Sequence, residues 1–262
     1  MLRIATLASG SSGNCTLVSD GQTHILIDAG ISARRITTGL KQLGIAPAEL
    51  TAILVTHEHS DHISGLNVLK NQLAFKLCAT TPTARQLCYR MAGLESRIHT
   101  FGPGERFELG SLYVESFPTL HDCACPVGYA VSGGGVKMAL ATDLGVVTEV
   151  VERGISGARL LIAETNYDPD ALRSGPYPPY LKERILSDHG HLSNEMGARM
   201  ALRAVEDGAG TVILGHLSQE NNTPRMARDT VEEIFSAAGV RVGIDVTLSV
   251  APRSECGGWI TV

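Results

Sequence analysis

The chain has 262 residues, 44% of them hydrophobic and 19% charged, with a formal net charge of −5. Such a composition excludes a dominantly disordered chain, and no apolar run approaches the roughly 18 residues of a membrane span. The acidic balance argues against a protein that coats nucleic acid by charge alone, though not against an enzyme with a local basic patch.

The predicted elements run as follows. Leu2–Ala8 and Thr16–Ser19 read as strands around the turn Ser9-Gly10-Ser11-Ser12-Gly13, and His24–Asp28 reads as a third. That turn interrupts the first apolar run too early for a secretory signal, which predicts a cytoplasmic protein. Ala33–Leu43 has helical spacing and stops at Gly44. Ala52–Thr56 is an apolar run with the look of a buried strand. Thr83–Met91 reads as a helix. Ser111–Phe117, Val127–Ser132 and Val136–Ala141 read as strands, the last two joined through Gly133-Gly134-Gly135 as a hairpin. Leu160–Ala163 and Thr211–Leu214 are further short strands, and Asn194–Glu206 and Arg225–Ala238 are helical. The Pro-rich stretch Gly175–Tyr180 reads as a loop and is the best linker candidate, but no composition shift marks a boundary there. Hairpins precede the first helix and recur mid-chain, so a regular βαβ rhythm is missing. Two mixed sheets flanked by helices, in a single domain over 1–262, fit best.

Chemistry concentrates at Thr56-His57-Glu58-His59-Ser60-Asp61-His62, directly after a predicted strand. His57 and His59 project to one side if the backbone is extended, and Asp61 and His62 follow in a turn. Imidazole and carboxylate suit Zn, Mn, Fe and Ni. The helical zinc-protease motif is absent, because position 61 is Asp where that motif needs a second His. Asp28, His121, Asp143 and His216 stand at or just beyond the ends of other predicted strands. The six cysteines are too sparse for a disulfide scaffold and form no CxxC pair. Cys123 and Cys125 flank His121 and read as small buried residues. His24 and His99 read as structural.

In this order the motifs resemble the metallo-β-lactamase superfamily, an α/β four-layer αββα sandwich of two mixed sheets with a dimetal site along one edge. The resemblance implies that His57, His59 and His121 hold one metal, that Asp61, His62 and His216 hold a second, and that Asp143 bridges them. Asp28 then orients a ligand. Ala8–Asn14, Gly175–Pro178, Gly190–Asn194 and Gly215–Asn222 are similar to the YycJ/WalJ (VicX) branch, bacterial cytosolic proteins regarded as DNA exonucleases, related to the tRNase Z and β-CASP nucleases. It implies a metal-dependent phosphodiesterase, a 5′-to-3′ exonuclease with DNA favoured over RNA, loaded with two divalent ions: Zn or Mn, with Fe or Ni also fitting. Asp61 would orient or deprotonate the attacking water. Glu164 and His191 fit the acid pair of tRNase Z-like nucleases, His191 protonating the leaving oxygen and Glu164 fixing its tautomer. A small-molecule hydrolase of the same fold is the alternative: a thioesterase, lactonase or cyclic phosphodiesterase.

Ser11, Ser12 and Asn14 of the glycine-serine loop are candidate phosphate contacts, and Ser193 and Asn194 are candidate substrate contacts, with Ser193 equally suited to capping a helix. Lys182, Arg184, Arg199, Arg203, Arg225 and Arg228 could line a nucleic-acid track. No membrane partner is expected, and the oligomeric state is open.

Overall fold

The computed structural model describes residues 1–262. Its strands are β1 (Arg3–Ala8), β2 (Cys15–Ser19), β3 (His24–Ile27), β4 (Leu50–Leu54), β5 (Lys76–Thr80), β6 (Ile98–Phe101), β7 (Arg106–Leu109), β8 (Leu112–Pro118), β9 (Val127–Gly133), β10 (Val136–Ala141), β11 (Leu160–Glu164), β12 (Thr211–Gly215), β13 (Thr247–Val250) and β14 (Ile260–Thr261). Its helices are α1 (Ala33–Gln42), α2 (Ser60–Ile63), α3 (Leu66–Gln72), α4 (Thr81–Arg90), α5 (Glu149–Ile155), α6 (Pro169–Ser174), α7 (Pro179–Leu186), α8 (Asn194–Glu206) and α9 (Pro224–Ala237).

Two seven-stranded sheets form, in the orders β14-β1-β2-β3-β4-β5-β6 and β13-β12-β11-β10-β9-β8-β7. Each is mixed in the same way. β1, β2 and β3 pair antiparallel, and β3 to β6 are parallel. β7 to β10 are antiparallel, and β10 to β13 are parallel. The chain's last strand, β14, closes the edge at β1.

Side-chain alternation sorts the core into layers. On β3, Ile25 and Ile27 join the core between the sheets, while Leu26 faces the helices. On β11, Leu160 and Ile162 enter that shared core, while Leu161 and Ala163 pack under helices. The central parallel strands are therefore apolar on both faces, as strands covered on both sides must be. The layering is αββα, as expected.

The β9–β10 hairpin turns through Gly134 and Gly135, with φ of 59° and 79°. Both central positions of this tight turn need positive φ, which glycine adopts without strain. Several elements escape the sequence reading: β5, β6, β7, β13, β14, the short helices α2 and α3, and α5 to α7. Gly175–Tyr180 is less of a loop than expected, because α7 already begins at Pro179. No helix is long and apolar enough to cross a membrane.

Candidate metal centre

The carboxyl ends of parallel strands from both sheets meet along one edge, the place where open α/β sheets bind ligands. Asp28 directly follows β3, the segment His57–His62 follows β4, Asp143 follows β10, Glu164 ends β11 and His216 follows β12. His121 lies on the β8–β9 connection, and His191 precedes α8.

Three non-glycine residues have positive φ, and all three belong to this edge: Asp28 (62°), Asp143 (60°) and His216 (55°). The left-handed conformation costs an L-residue roughly 1–2 kcal/mol, so the surroundings must hold each one. For His216 the clamps are visible. Its N–H donates to Ser9 Oγ at 2.9 Å, and its carbonyl accepts from Asn166 Nδ2 at 2.8 Å.

The side chains converge in overlapping sets whose potential ligand atoms lie within 4.8 Å of one another. One set is His57, His59 and His121; another is Asp61, His62 and His216. Asp143 reaches both, with Oδ1 3.8 Å from His121 Nε2 and 3.4 Å from His216 Nε2, and Oδ2 3.4 Å from His62 Nε2. His57 Nε2 and Asp143 Oδ2 are buried without any hydrogen-bond partner. An unsatisfied buried polar atom costs about 1–3 kcal/mol. Two of them facing a knot of imidazoles and carboxylates fit a cation as the missing partner.

A ring of supporting contacts orients these groups. Asp28 accepts from Thr56 N–H at Oδ1 and from His62 Nδ1 at Oδ2, both at 2.8 Å. That leaves His62 Nε2 facing the cluster. Burial raises the Asp28 carboxyl, and His62 opposes it. Burial lowers His57, and the neighbouring rings of His62, His121 and His59 lower it further, so it stays a neutral lone-pair donor. Burial would also lower His62 and His216, but Asp143 and the other carboxylates outweigh it, holding His216 up at about 10. Asp61 is driven well below the usual carboxylate range: burial opposes this, and His216 and His62 override it.

Glu164 is fully buried, and its Oε1 lies 2.7 Å from His191 Nδ1 and 3.0 Å from His216 Nδ1. Burial would raise this carboxyl, but His191 and His216 bring it down to about 2. His191 keeps an open face, its side chain 19% exposed. Beside it is a cavity of about 140 Å³ whose lining includes Ser11, His121, Asn166, Tyr177, Arg184 and Ser218.

Within the glycine-serine loop, Asn14 turns toward the cluster while Ser11 lines the cavity beside His191. Asn14 Oδ1 accepts from Gly10 N–H, and Asn14 Nδ2 lies 3.4 Å from Asp61 Oδ2 and 3.1 Å from His62 Nε2, so it braces the cluster from within. Ser11 and Ser12 are exposed at the tip. Ser193 caps α8 by accepting from Met196 N–H, and Asn194 is buried in mutual contact with Asn222. Both sit beneath the site rather than on its surface.

Four residues of the six-residue basic track are tied to carboxylates, while Lys182 Nζ donates to the Arg173 carbonyl and Arg199 has no carboxylate partner. Arg203 pairs with Glu152, Arg225 with Asp229, Arg228 with Glu232, and Arg184 with Asp122. Sequence reasoning missed Asn166 and the cross-link made by Glu58, whose Oε1 accepts from Ala124 N–H and ties the His57–His62 segment to the His121 loop. Cys123 and Cys125 are partly exposed free thiols. His24 lies 2.8 Å from Ser19 Oγ, and His99 packs edge-on to Phe107, both away from the centre.

An αββα sandwich carrying a histidine–aspartate cluster on its strand-end edge defines the metallo-β-lactamase class of folds. Residues 23–217 match the family model described as Beta-lactamase superfamily domain, and the chain belongs to that superfamily. It is 37% identical over 246 residues to Exodeoxyribonuclease WalJ of Streptococcus pneumoniae, covering 93% of this chain and 91% of that protein. It is 36% identical over 243 residues to Exodeoxyribonuclease YycJ of Bacillus anthracis, covering 92% of each. Among solved structures, the metallo-beta-lactamase fold protein YhfI from Bacillus subtilis superposes over 100% of both chains with a TM-score of 0.76 at 16% identity, a likeness of fold.

Proposed function

We propose that this chain is a dimetal-dependent exodeoxyribonuclease working from the 5′ end, with residues 1–262 acting as one domain. The observation that carries the reading is the Glu164–His191 pair set against the cluster, with an imidazole face open to the adjoining cavity. The names of the two relatives support the same substrate class.

His57, His59 and His121 would hold one divalent ion, Asp61, His62 and His216 a second, and Asp143 both. Zn or Mn suits these donors, and Fe or Ni also fits. Bound ions of this kind acidify water and neutralise charge on a phosphate.

The protein's own groups supply the rest. Asp61 orients the attacking water or takes its proton. Water oxygen bonds to phosphorus, the P–O3′ bond breaks, and His191 gives its proton to the departing O3′. Glu164 fixes the His191 tautomer, accepting at Nδ1 so that the other ring nitrogen faces the leaving group. The cavity beside His191 receives the departing terminal nucleotide, with Ser11 and Ser12 at its approach. A thioester has less use for this acid, because its thiolate departs without a proton.

The test is incubation of Mn- or Zn-reconstituted protein with 5′-phosphorylated, end-labelled duplex DNA, beside single-stranded DNA and RNA. Stepwise release of mononucleotides, lost in Asp61→Ala, is the expected result. Turnover of a thioester or lactone with no cleavage of any polymer overturns the reading.

A further inference from the structure

Arg203, Arg225 and Arg228 are paired to carboxylates, whereas three other arginines stand on a path leading from the active-site edge. Arg34 and Arg35 are exposed in the first turn of α1, and Arg253 lies in the β13–β14 connection. None of the three forms an ion pair with a carboxylate, in contrast to Arg203, Arg225 and Arg228.

The path is continuous through hydrogen bonds. Ser218, which lines the cavity beside His191, accepts from Arg253 Nη2 at 3.1 Å through its carbonyl. The Arg253 guanidinium runs alongside the glycine-serine loop, where a Cβ on Gly10 would stand 3.9 Å from its Cζ. The next residue, Ser254, accepts from Arg35 Nη2 at 2.9 Å through its carbonyl. Arg34, Arg35 and Ser254 then line a groove of about 490 Å³, in which Glu255 is the one acidic group.

Arg253 Nη1 is buried with no hydrogen-bond partner. Its residue is only half-buried, so a phosphate that draws the guanidinium toward the groove would give Nη1 a charge-assisted hydrogen bond it now lacks. Arginine suits this role because its planar fork matches phosphate oxygens.

We infer that Arg253, Arg35 and Arg34 form a phosphate track that holds the DNA strand being degraded and feeds it to the metal centre. The inference rests on the exodeoxyribonuclease reading. It gives an acidic protein a local hold on a polyanion: three arginines without a carboxylate partner follow one path from the cavity, while Arg203, Arg225 and Arg228 are paired to carboxylates.

The test uses metal-reconstituted full-length protein and 5′-phosphorylated, 3′-fluorescein-labelled DNA of graded length. Arg34→Glu/Arg35→Glu, the milder Arg34→Gln/Arg35→Gln, and Arg253→Gln are compared with wild type. In wild type, KM falls as the DNA lengthens enough to fill the groove. In the variants this length dependence flattens, and KM for the longest DNA rises on the order of tenfold. The slope of log(kcat/KM) against log[NaCl] becomes shallower by roughly one for each arginine removed. The Gln variants, which keep the size and polarity of the surface, should melt like wild type. Unchanged KM, length dependence and salt slope, in variants that still degrade DNA, overturn the track and leave the nuclease reading standing. A wild-type protein that does not degrade DNA overturns both together.

Discussion

Glu164 Oε1 lies 2.7 Å from His191 Nδ1, and the same oxygen lies 3.0 Å from Nδ1 of the cluster residue His216. One buried carboxylate therefore fixes both the proposed acid and a proposed metal ligand. The two roles separate by substitution. His191→Ala should slow DNA cleavage by about 10²–10⁴, the usual range for a general acid. It should slow bis(p-nitrophenyl) phosphate far less, because p-nitrophenolate leaves without a proton. Glu164→Gln should slow both substrates, because His216 loses its orienting partner too. Equal losses on both substrates in His191→Ala would remove the acid assignment.

Metal loading should stabilise the fold. A bound cation would give the orphaned His57 Nε2 and Asp143 Oδ2 a partner. An ion that binds only the folded state adds about 2.7 kcal/mol at a free concentration one hundred times its Kd. Zn or Mn should raise the melting temperature of chelator-treated protein, and Asp143→Ala should abolish most of that rise together with phosphodiesterase activity. A melting temperature indifferent to metal would argue against the cluster as a binding site.

Gly30 is needed because of what lies against it. A Cβ there would stand 1.6 Å from the backbone oxygen of Asp61. Gly30→Ala must push the Asp61 segment away, which overpacking data place at about 1–3 kcal/mol or more. The expected result is a lower urea midpoint and weaker metal uptake by calorimetry. Wild-type values for both would show that the segment yields freely.

Acid sensitivity should have a contribution remote from the metal centre. His24 is buried, and burial pulls its imidazole below its ordinary value, with Glu49 opposing. In the unfolded chain it titrates near about 6.5. Below that pH the unfolded state takes up a proton that the folded state refuses, so stability falls as pH drops and levels once the folded ring protonates. In metal-free protein, urea midpoints should fall less between about pH 7 and about pH 5 in His24→Gln than in wild type. Parallel curves would mean that His24 does not contribute.

The legible and illegible parts of this protein divide along a physical line. Four candidate ligands packed into His57–His62 are visible because they are neighbours in the chain, and the apolar run before them marks the strand that presents them. Asp28, Asp143 and His216 are visible as polar residues closing apolar runs. Their positive φ is not, because the left-handed turn is imposed by clamps such as Ser9 and Asn166, distant in sequence from His216. Strands such as β7, with its alternating Arg106 and Glu108, lack an apolar run to announce them. The pairing of Arg225 with Asp229 and of Arg228 with Glu232 was within reach of the i,i+4 rule. That of Arg203 with Glu152 was not, because it joins two helices.

The sequence by itself determined two mixed sheets flanked by helices and the residue types of the candidate metal cluster, since both follow from local periodicity and from donors at strand ends. Only the tertiary structure decided that Glu164 serves two histidines, because strand register sets Glu164 beside Gly215 and so brings its carboxylate to His216. It alone decided that Arg203 is paired, because Glu152 reaches it from another helix.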